Sequence, residues 1–271
     1  MSGDDAHSKQ MQRRVQAQAA RAMLCLAADN GTTQGLMAKS DSIPPLIALV
    51  KKSSPEAQQH SACALWHLAT QVENRGIIVD AGGIKPLISM LAADEGTAAE
   101  LAAIILVRLA KTNMDVSTEI ADKGGVLPLV KLLTIGSSGA QLQSASMLAE
   151  LALVSKNRDV IANAGGIEPI IRLLSSATIG TPETAARVLA HLCHDDLPKK
   201  REPGEEPTPR QENDVRGSAE RRAQIHVKGG TQRLIVILDG SKKLEDESGG
   251  KAKERRKSLA PNLAMHESTA L

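Results

Sequence analysis

Few side chains in this 271-residue chain have both the type and the spacing for chemistry. His60, Cys63 and His67 stand at i, i+3 and i+7, one face of a helix. Two imidazoles and a thiol with an open fourth position would suit zinc. Each of the three, however, fills an ordinary position of a longer sequence period. The next histidine at the His67 position, His191, is three periods away, on the order of 30 Å at about 10 Å per packed layer. No metal site is therefore expected. The glycine pairs Gly82-Gly83, Gly124-Gly125 and Gly165-Gly166 are not phosphate loops: no Gly-x-x-x-x-Gly-Lys-Ser/Thr occurs, and each pair follows a helical pattern. His-Glu-x-x-His and the nucleophile elbow are also missing from the sequence. The expectation is a protein that is not an enzyme, with no cofactor and no small-molecule substrate. Two positions carry modification patterns instead. Ser258, in Arg255-Arg256-Lys257-Ser258-Leu259, fits a basophilic kinase, and Thr208-Pro209 a proline-directed one. A phosphate at Ser258 would add up to about two negative charges to a basic segment.

The period that places these residues is read from one recurring phrase. Gly82-Gly83-Ile84-Lys85-Pro86-Leu87-Ile88 returns as Gly124-Gly125-Val126-Leu127-Pro128-Leu129-Val130 and as Gly165-Gly166-Ile167-Glu168-Pro169-Ile170-Ile171. A weaker copy, Asp41-Ser42-Ile43-Pro44-Pro45-Leu46-Ile47, precedes them. Pro45, Pro86, Pro128 and Pro169 follow one another at 41, 42 and 41 residues. The glycine pair permits a sharp turn at the end of one short helix. The proline sits in the first turn of the next, where its missing N–H costs nothing. Four residues ahead of each turn stands an apolar anchor: Met37, Ile78, Ile120 and Ile161.

A third helix closes every unit, ending on Leu65-Trp66-His67-Leu68, Leu106-Val107-Arg108-Leu109, Leu148-Ala149-Glu150-Leu151 and Leu189-Ala190-His191-Leu192. Ser54-Pro55-Glu56 and Thr181-Pro182-Glu183 read as an N-cap, a proline at the first position and an early acid. The chain lacks Phe and Tyr and has one tryptophan, Trp66, which suits thin layers of helices better than a globular core.

The boundaries follow from the same phrase. Residues 1–9 are expected to be unstructured. Residues 10–194 hold a half unit (Arg14 to Ala27, with Ala20, Met23 and Leu26 facing inward) and four full ones. That polar first helix, with Arg13, Arg14, Gln16 and Gln18, is either a cap or part of a longer stack. Residues 195–217, rich in Pro, Glu and Arg, read as an unstructured insertion. Residues 218–265 read as a degenerate fifth unit, with Ile225 four before Gly229-Gly230, and residues 266–271 as a tail.

Three glycine-turned helices in a unit of about 42 residues resemble the armadillo repeat family. The resemblance implies an all-α, right-handed superhelical solenoid. It also implies a groove, lined by the third helices, that holds an extended peptide. In importin-α-like grooves the third helices carry an asparagine and, four residues earlier, a tryptophan. Here the asparagine positions hold Cys25, His67, Arg108, Glu150 and His191, and the tryptophan positions hold Arg21, Cys63, Ile104, Ser146 and Arg187. Asn262 alone, in the degenerate unit, matches the asparagine pattern. The groove candidates are accordingly Arg21, Cys25, His60, Cys63, His67, Arg108, Glu150, Arg187 and His191, a mildly basic stripe. The expected role is a scaffold or adaptor for an extended or helical segment of another protein. A nuclear-transport adaptor and an interaction fragment of a larger protein such as a ubiquitin ligase are the alternatives.

Charge and cysteine content restrict partners and compartment. Lys+Arg number 33 and Asp+Glu 31, a net charge of +2 that gives no general attraction to nucleic acid. No apolar run approaches membrane-spanning length, and Ser2 does not fit the myristoylation pattern. Three scattered cysteines, Cys25, Cys63 and Cys193, fit a reducing compartment, so a cytoplasmic or nuclear location is expected.

Overall fold

The computed structural model describes residues 3–28, 31–93, 96–111, 113–194 and 209–237. These residues are all-α, with no strand among them, and the chain divides into two compact units, 1–228 and 229–271. The first unit opens on α1 (Gly3–Ala27), followed by four three-helix layers. These are α2 (Gly31–Lys39), α3 (Ile43–Lys51) and α4 (Pro55–Leu68), then α5 (Val72–Asp80), α6 (Ile84–Ala92) and α7 (Gly96–Ala110). They continue with α8 (Met114–Asp122), α9 (Val126–Ile135) and α10 (Ser138–Leu151), then α11 (Ser155–Asn163), α12 (Ile167–Leu173) and α13 (Thr181–Cys193). Helix α14 (Pro209–Val227) ends this unit. The second unit contributes the helical stretch 230–237.

Each short first helix is stopped in the same way. Gly82, Gly124, Gly165 and Gly229 have φ of 76°, 82°, 78° and 80°, a left-handed conformation that only glycine adopts readily. Asp41 takes this position in the first layer at φ 50°. The second glycine answers a different need. A Cβ on Gly125 would stand 2.8 Å from Ile120 Cγ2 and 2.9 Å from the Ile120 carbonyl oxygen. The turn thus closes directly onto the apolar anchor. Ile78, Ile120 and Ile161 are fully buried, and Met37 and Ile225 nearly so. Gly124→Ala is expected to destabilise the protein by about 1–2 kcal/mol, because alanine is strained at this φ. Urea unfolding monitored by circular dichroism reads that loss.

Third helices pack on their neighbours in the order α1, α4, α7, α10, α13, and second helices in the order α3, α6, α9, α12. The core lies between these rows. Leu65, Leu68, Ile105, Leu106, Leu109, Met147, Leu148, Leu151, Val188 and Leu192 are essentially inaccessible. Leucine, isoleucine and alanine fill layers one helix thick, so large aromatic rings are not needed.

Several expectations are corrected. Helix α1 begins at Gly3, so residues 3–9 are helical. This stretch lacks proline, so no residue in it blocks continuation of the helix. Leu26, aligned with the buried Leu68, is 54% exposed, because no described layer covers that side of α1. Thr181 is not a cap: Gly180 holds that position at φ 81°, and Thr181 is the first buried helical residue. Ser54 does cap α4, accepting from the Ala57 N–H at 3.4 Å. Finally, α14 starts at Pro209, so 209–217 is helix. Proline is tolerated at a first helical position, and the residues after it are good helix formers. Residues 195–208, 238–265 and 266–271 lie outside the described residues, as do Asn262 and both modification positions, Thr208 and Ser258.

Candidate functional site

Adjacent third helices leave the same two positions out of the core. On α1 these are Arg21 and Cys25, both exposed, and on α4 they are the half-buried Cys63 and His67. Ile104 and Arg108 on α7 and Ser146 and Glu150 on α10 are half-buried. On α13 Arg187 is exposed and His191 half-buried. The row arises because each third helix turns one face to its two neighbours and to its own second helix. With 3.6 residues per turn, positions four apart share the remaining face.

Two clusters stand out along this row. Trp66 packs edge-on against His67, with ring centroids 4.5 Å apart and planes at 61°. Arg108 reaches from the next helix to within 5.5 Å of the Trp66 ring centroid. Such a cation–π contact contributes about 0.5–2 kcal/mol. Burial pushes the Arg108 pKa below its usual value, and the nearby Arg75 guanidinium adds to the effect. The second cluster joins Glu150, Arg187 and His191. Burial lowers the His191 pKa first; Arg158, Arg187 and His194 lower it further, and Glu150 opposes them. At neutral pH His191 is therefore uncharged, and the nearby Arg158 and Arg187 reinforce that state. His60 is engaged elsewhere: its Nδ1 lies 3.3 Å from the Ala17 carbonyl oxygen, in the contact between α4 and α1. Among the described residues no three His, Cys, Asp or Glu side chains converge on a point that could hold a metal ion. No described helix is long and apolar enough to cross a membrane.

The cysteines differ in exposure. Cys25 is exposed, while Cys63 and Cys193 are half-buried. Burial raises the thiol pKa of Cys63 and of Cys193, where Arg222 and Arg221 partly counter it. Because the thiolate is the nucleophile, Cys25 is expected to react first with iodoacetamide at pH 7.5. Peptide mapping after partial alkylation checks the order, and early modification of Cys63 contradicts it.

Sequence reasoning missed the groups that hold the rows in place. Asn74 Nδ2 donates to the Leu68 carbonyl at 3.1 Å, and Asn157 Nδ2 to that of Leu151 at 3.1 Å. Beside them, Arg75 Nε donates to the Ala69 carbonyl at 2.9 Å and Arg158 Nε to that of Ala152 at 2.8 Å. Arg222 Nε does the same for Cys193 at 3.2 Å. Helices α5, α11 and α14 thus donate side-chain hydrogen bonds to carbonyls at the end of the preceding third helix. The recurring Asn-Arg pair in α5 and α11 was the available signal.

A family model for the armadillo/beta-catenin-like repeat matches residues 35–70 and 155–194, the first and fourth three-helix layers. These two layers match armadillo repeats, and the fold of the described residues is that of an armadillo-repeat solenoid. This stack superposes on the crystal structure of an engineered protein with a TM-score of 0.68 and 26% identity, over 91% of this chain and 92% of that one. A designed armadillo repeat protein in complex with the peptide (KR)4 matches with a TM-score of 0.60 and 17% identity, over 83% of this chain and 97% of that one. The armadillo repeats only protein of Plasmodium falciparum matches with a TM-score of 0.59 and 19% identity, over 65% and 79% of the two chains. No curated protein matches the sequence.

Proposed function

We propose that this armadillo protein is a non-enzymatic scaffold that holds a polypeptide segment of a partner along its third-helix row. The observation that carries this reading is the continuous series of uncovered positions from Arg21 on α1 to His191 on α13. A solenoid presents such a row as one extended surface. A designed armadillo protein is seen with the basic peptide (KR)4. The row here carries Arg21, Arg108 and Arg187 against a single Glu150, so it favours a segment with acidic residues. Trp66 and Arg108 supply a flat anchor and a charge at its centre, a pairing common among residues that dominate binding energy.

The nuclear-transport reading lacks its asparagine and tryptophan ladders at every described position, and nothing in the row replaces them. Peptide display on the full chain, followed by affinity measurement, tests the scaffold reading. The double change Arg108→Glu, Arg187→Glu is expected to weaken selected peptides at least about tenfold, taking about 1.4 kcal/mol per tenfold. Selected peptides whose affinity is untouched by this change would place the partner on another surface.

A further inference from the structure

Helix α1 is longer than the third helices that follow it. Arg13 stands 42 residues before Pro55, where α4 begins, so the first turns of α1 overhang the α3–α4 turn. Between overhang and turn lies an open cleft of about 500 Å³. Lys9, Gln12, Arg13 and Gln16 share one face of α1 and form one wall, while Lys51 and Lys52 face them across the cleft. No carboxylate lines it. None of the four cations pairs with a carboxylate among the described residues.

The next layer provides an internal comparison. The corresponding cleft of about 360 Å³, between α4 and α7, also uses Lys51 but sets Glu56 beside it and has no other charged group. In a chain of nearly balanced charge, the first cleft gathers four cations without a counter-charge, where the second sets its one lysine beside a glutamate. Like charges on facing walls repel one another, and an anion between them relieves that repulsion.

We infer that this cleft binds a small anion carrying several phosphate groups, either as a soluble polyphosphate or as the headgroup of a multiply phosphorylated lipid. Its volume exceeds what one phosphate fills and falls in the usual range for small-ligand sites. Three of its four cations are lysines, which meet phosphate oxygens as point charges. The single arginine leaves little of the bidentate pairing by which carboxylate-rich peptides are read. Gln12 and Gln16 add neutral donors between the charges. The site is separate from the third-helix row and does not depend on its role.

Calorimetric titration of the full chain with inositol hexakisphosphate and with tripolyphosphate tests the inference. One-to-one binding that weakens with added salt is expected. The exposed pair Lys51→Glu, Lys52→Glu should lower affinity at least about 30-fold, with charged hydrogen bonds lost from one wall. Lys9→Glu, Arg13→Glu should do the same from the other, so loss in one variant cannot be blamed on misfolding alone. Lys85→Glu, Lys111→Glu changes net charge equally but lies outside the cleft, and should cost no more than about threefold. Absence of binding, or equal loss in cleft and control variants, overturns the site. Co-sedimentation with phosphatidylcholine vesicles doped with phosphatidylinositol bisphosphate, lost in the cleft variants, assigns the lipid source. Tight soluble binding without vesicle binding assigns the free anion. Displacement of hexakisphosphate by an equal concentration of a polyglutamate peptide would overturn the phosphate assignment. The Arg108→Glu, Arg187→Glu variant should bind phosphate normally, which separates failure of this site from failure of the third-helix row.

Discussion

Ile120→Ala is expected to lower the unfolding free energy by about 2–5 kcal/mol, the range for truncating a fully buried isoleucine. Ile120 is 0% exposed on α8 in the third of the four layers. Its carbonyl accepts the Gly125 N–H at 2.9 Å, and its Cγ2 fills the space that a Cβ on Gly125 would need. Truncation therefore opens a void at a turn whose backbone cannot move inward. The neighbours on both sides rest on this layer, and a stack held by adjacent contacts transmits the loss to both. Urea unfolding followed by circular dichroism should show a lower midpoint, and loss of a single cooperative step would locate the break. Ile120→Val keeps most of the volume and should cost about 0.5–1.5 kcal/mol. An alanine variant no weaker than the valine one would refute the anchor role.

Arg158→Ala is expected to cost about 2–4 kcal/mol, because one buried guanidinium serves several carbonyls. Arg158 is 4% exposed. Its Nε donates to Ala152 at 2.8 Å, its Nη1 to His194 at 3.0 Å and its Nη2 to Leu153 at 3.4 Å. These acceptors end two successive third helices, α10 and α13, so one side chain ties two layers together. Removing it takes donors from two helix ends, one of them at the fully buried Ala152, whereas the half-exposed Arg75 stands where solvent can replace it. Arg75→Ala should therefore cost less. A second readout is electrostatic. Arg158 is among the cations that hold the His191 pKa down. Its removal should move that pKa upward, as read by imidazole NMR titration. A stability loss without the shift would mean that Arg158 acts on packing alone.

The turns were legible in the sequence because each layer repeats the same local solution. Glycine pair, proline and apolar anchor recur at fixed spacing, and short-range chemistry decides them. Helix ends facing water were less legible. Residues 3–9 and 209–217 carry few apolar side chains, so no hydrophobic stripe marks them. Thr181 resembled a cap by composition, but Gly180 reaches the required conformation and frees the threonine to enter the core. At the third-helix row the positions could be counted from the period, while their contacts could not. Trp66 meets Arg108 across 42 residues of sequence, and rotamers rather than spacing decide such a meeting. The Asn-Arg pairs were harder still. Asn74-Arg75 and Asn157-Arg158 are separated by a layer carrying Ser117-Thr118, so the signal skips a period.

The near-constant angle at the turn glycines also makes length an adjustable property. Gly82 and Gly124 differ by only 6° in φ and occupy the same place in successive layers. Excising residues 83–124 would join Gly82 directly to Gly125 and restore an identical phrase at the junction. The flanking anchors, Ile78 before and Val126 after, would meet in the register they already use. Duplication at the same point would extend the chain just as smoothly. Such a protein can gain or lose reach by whole modules without inventing a new turn.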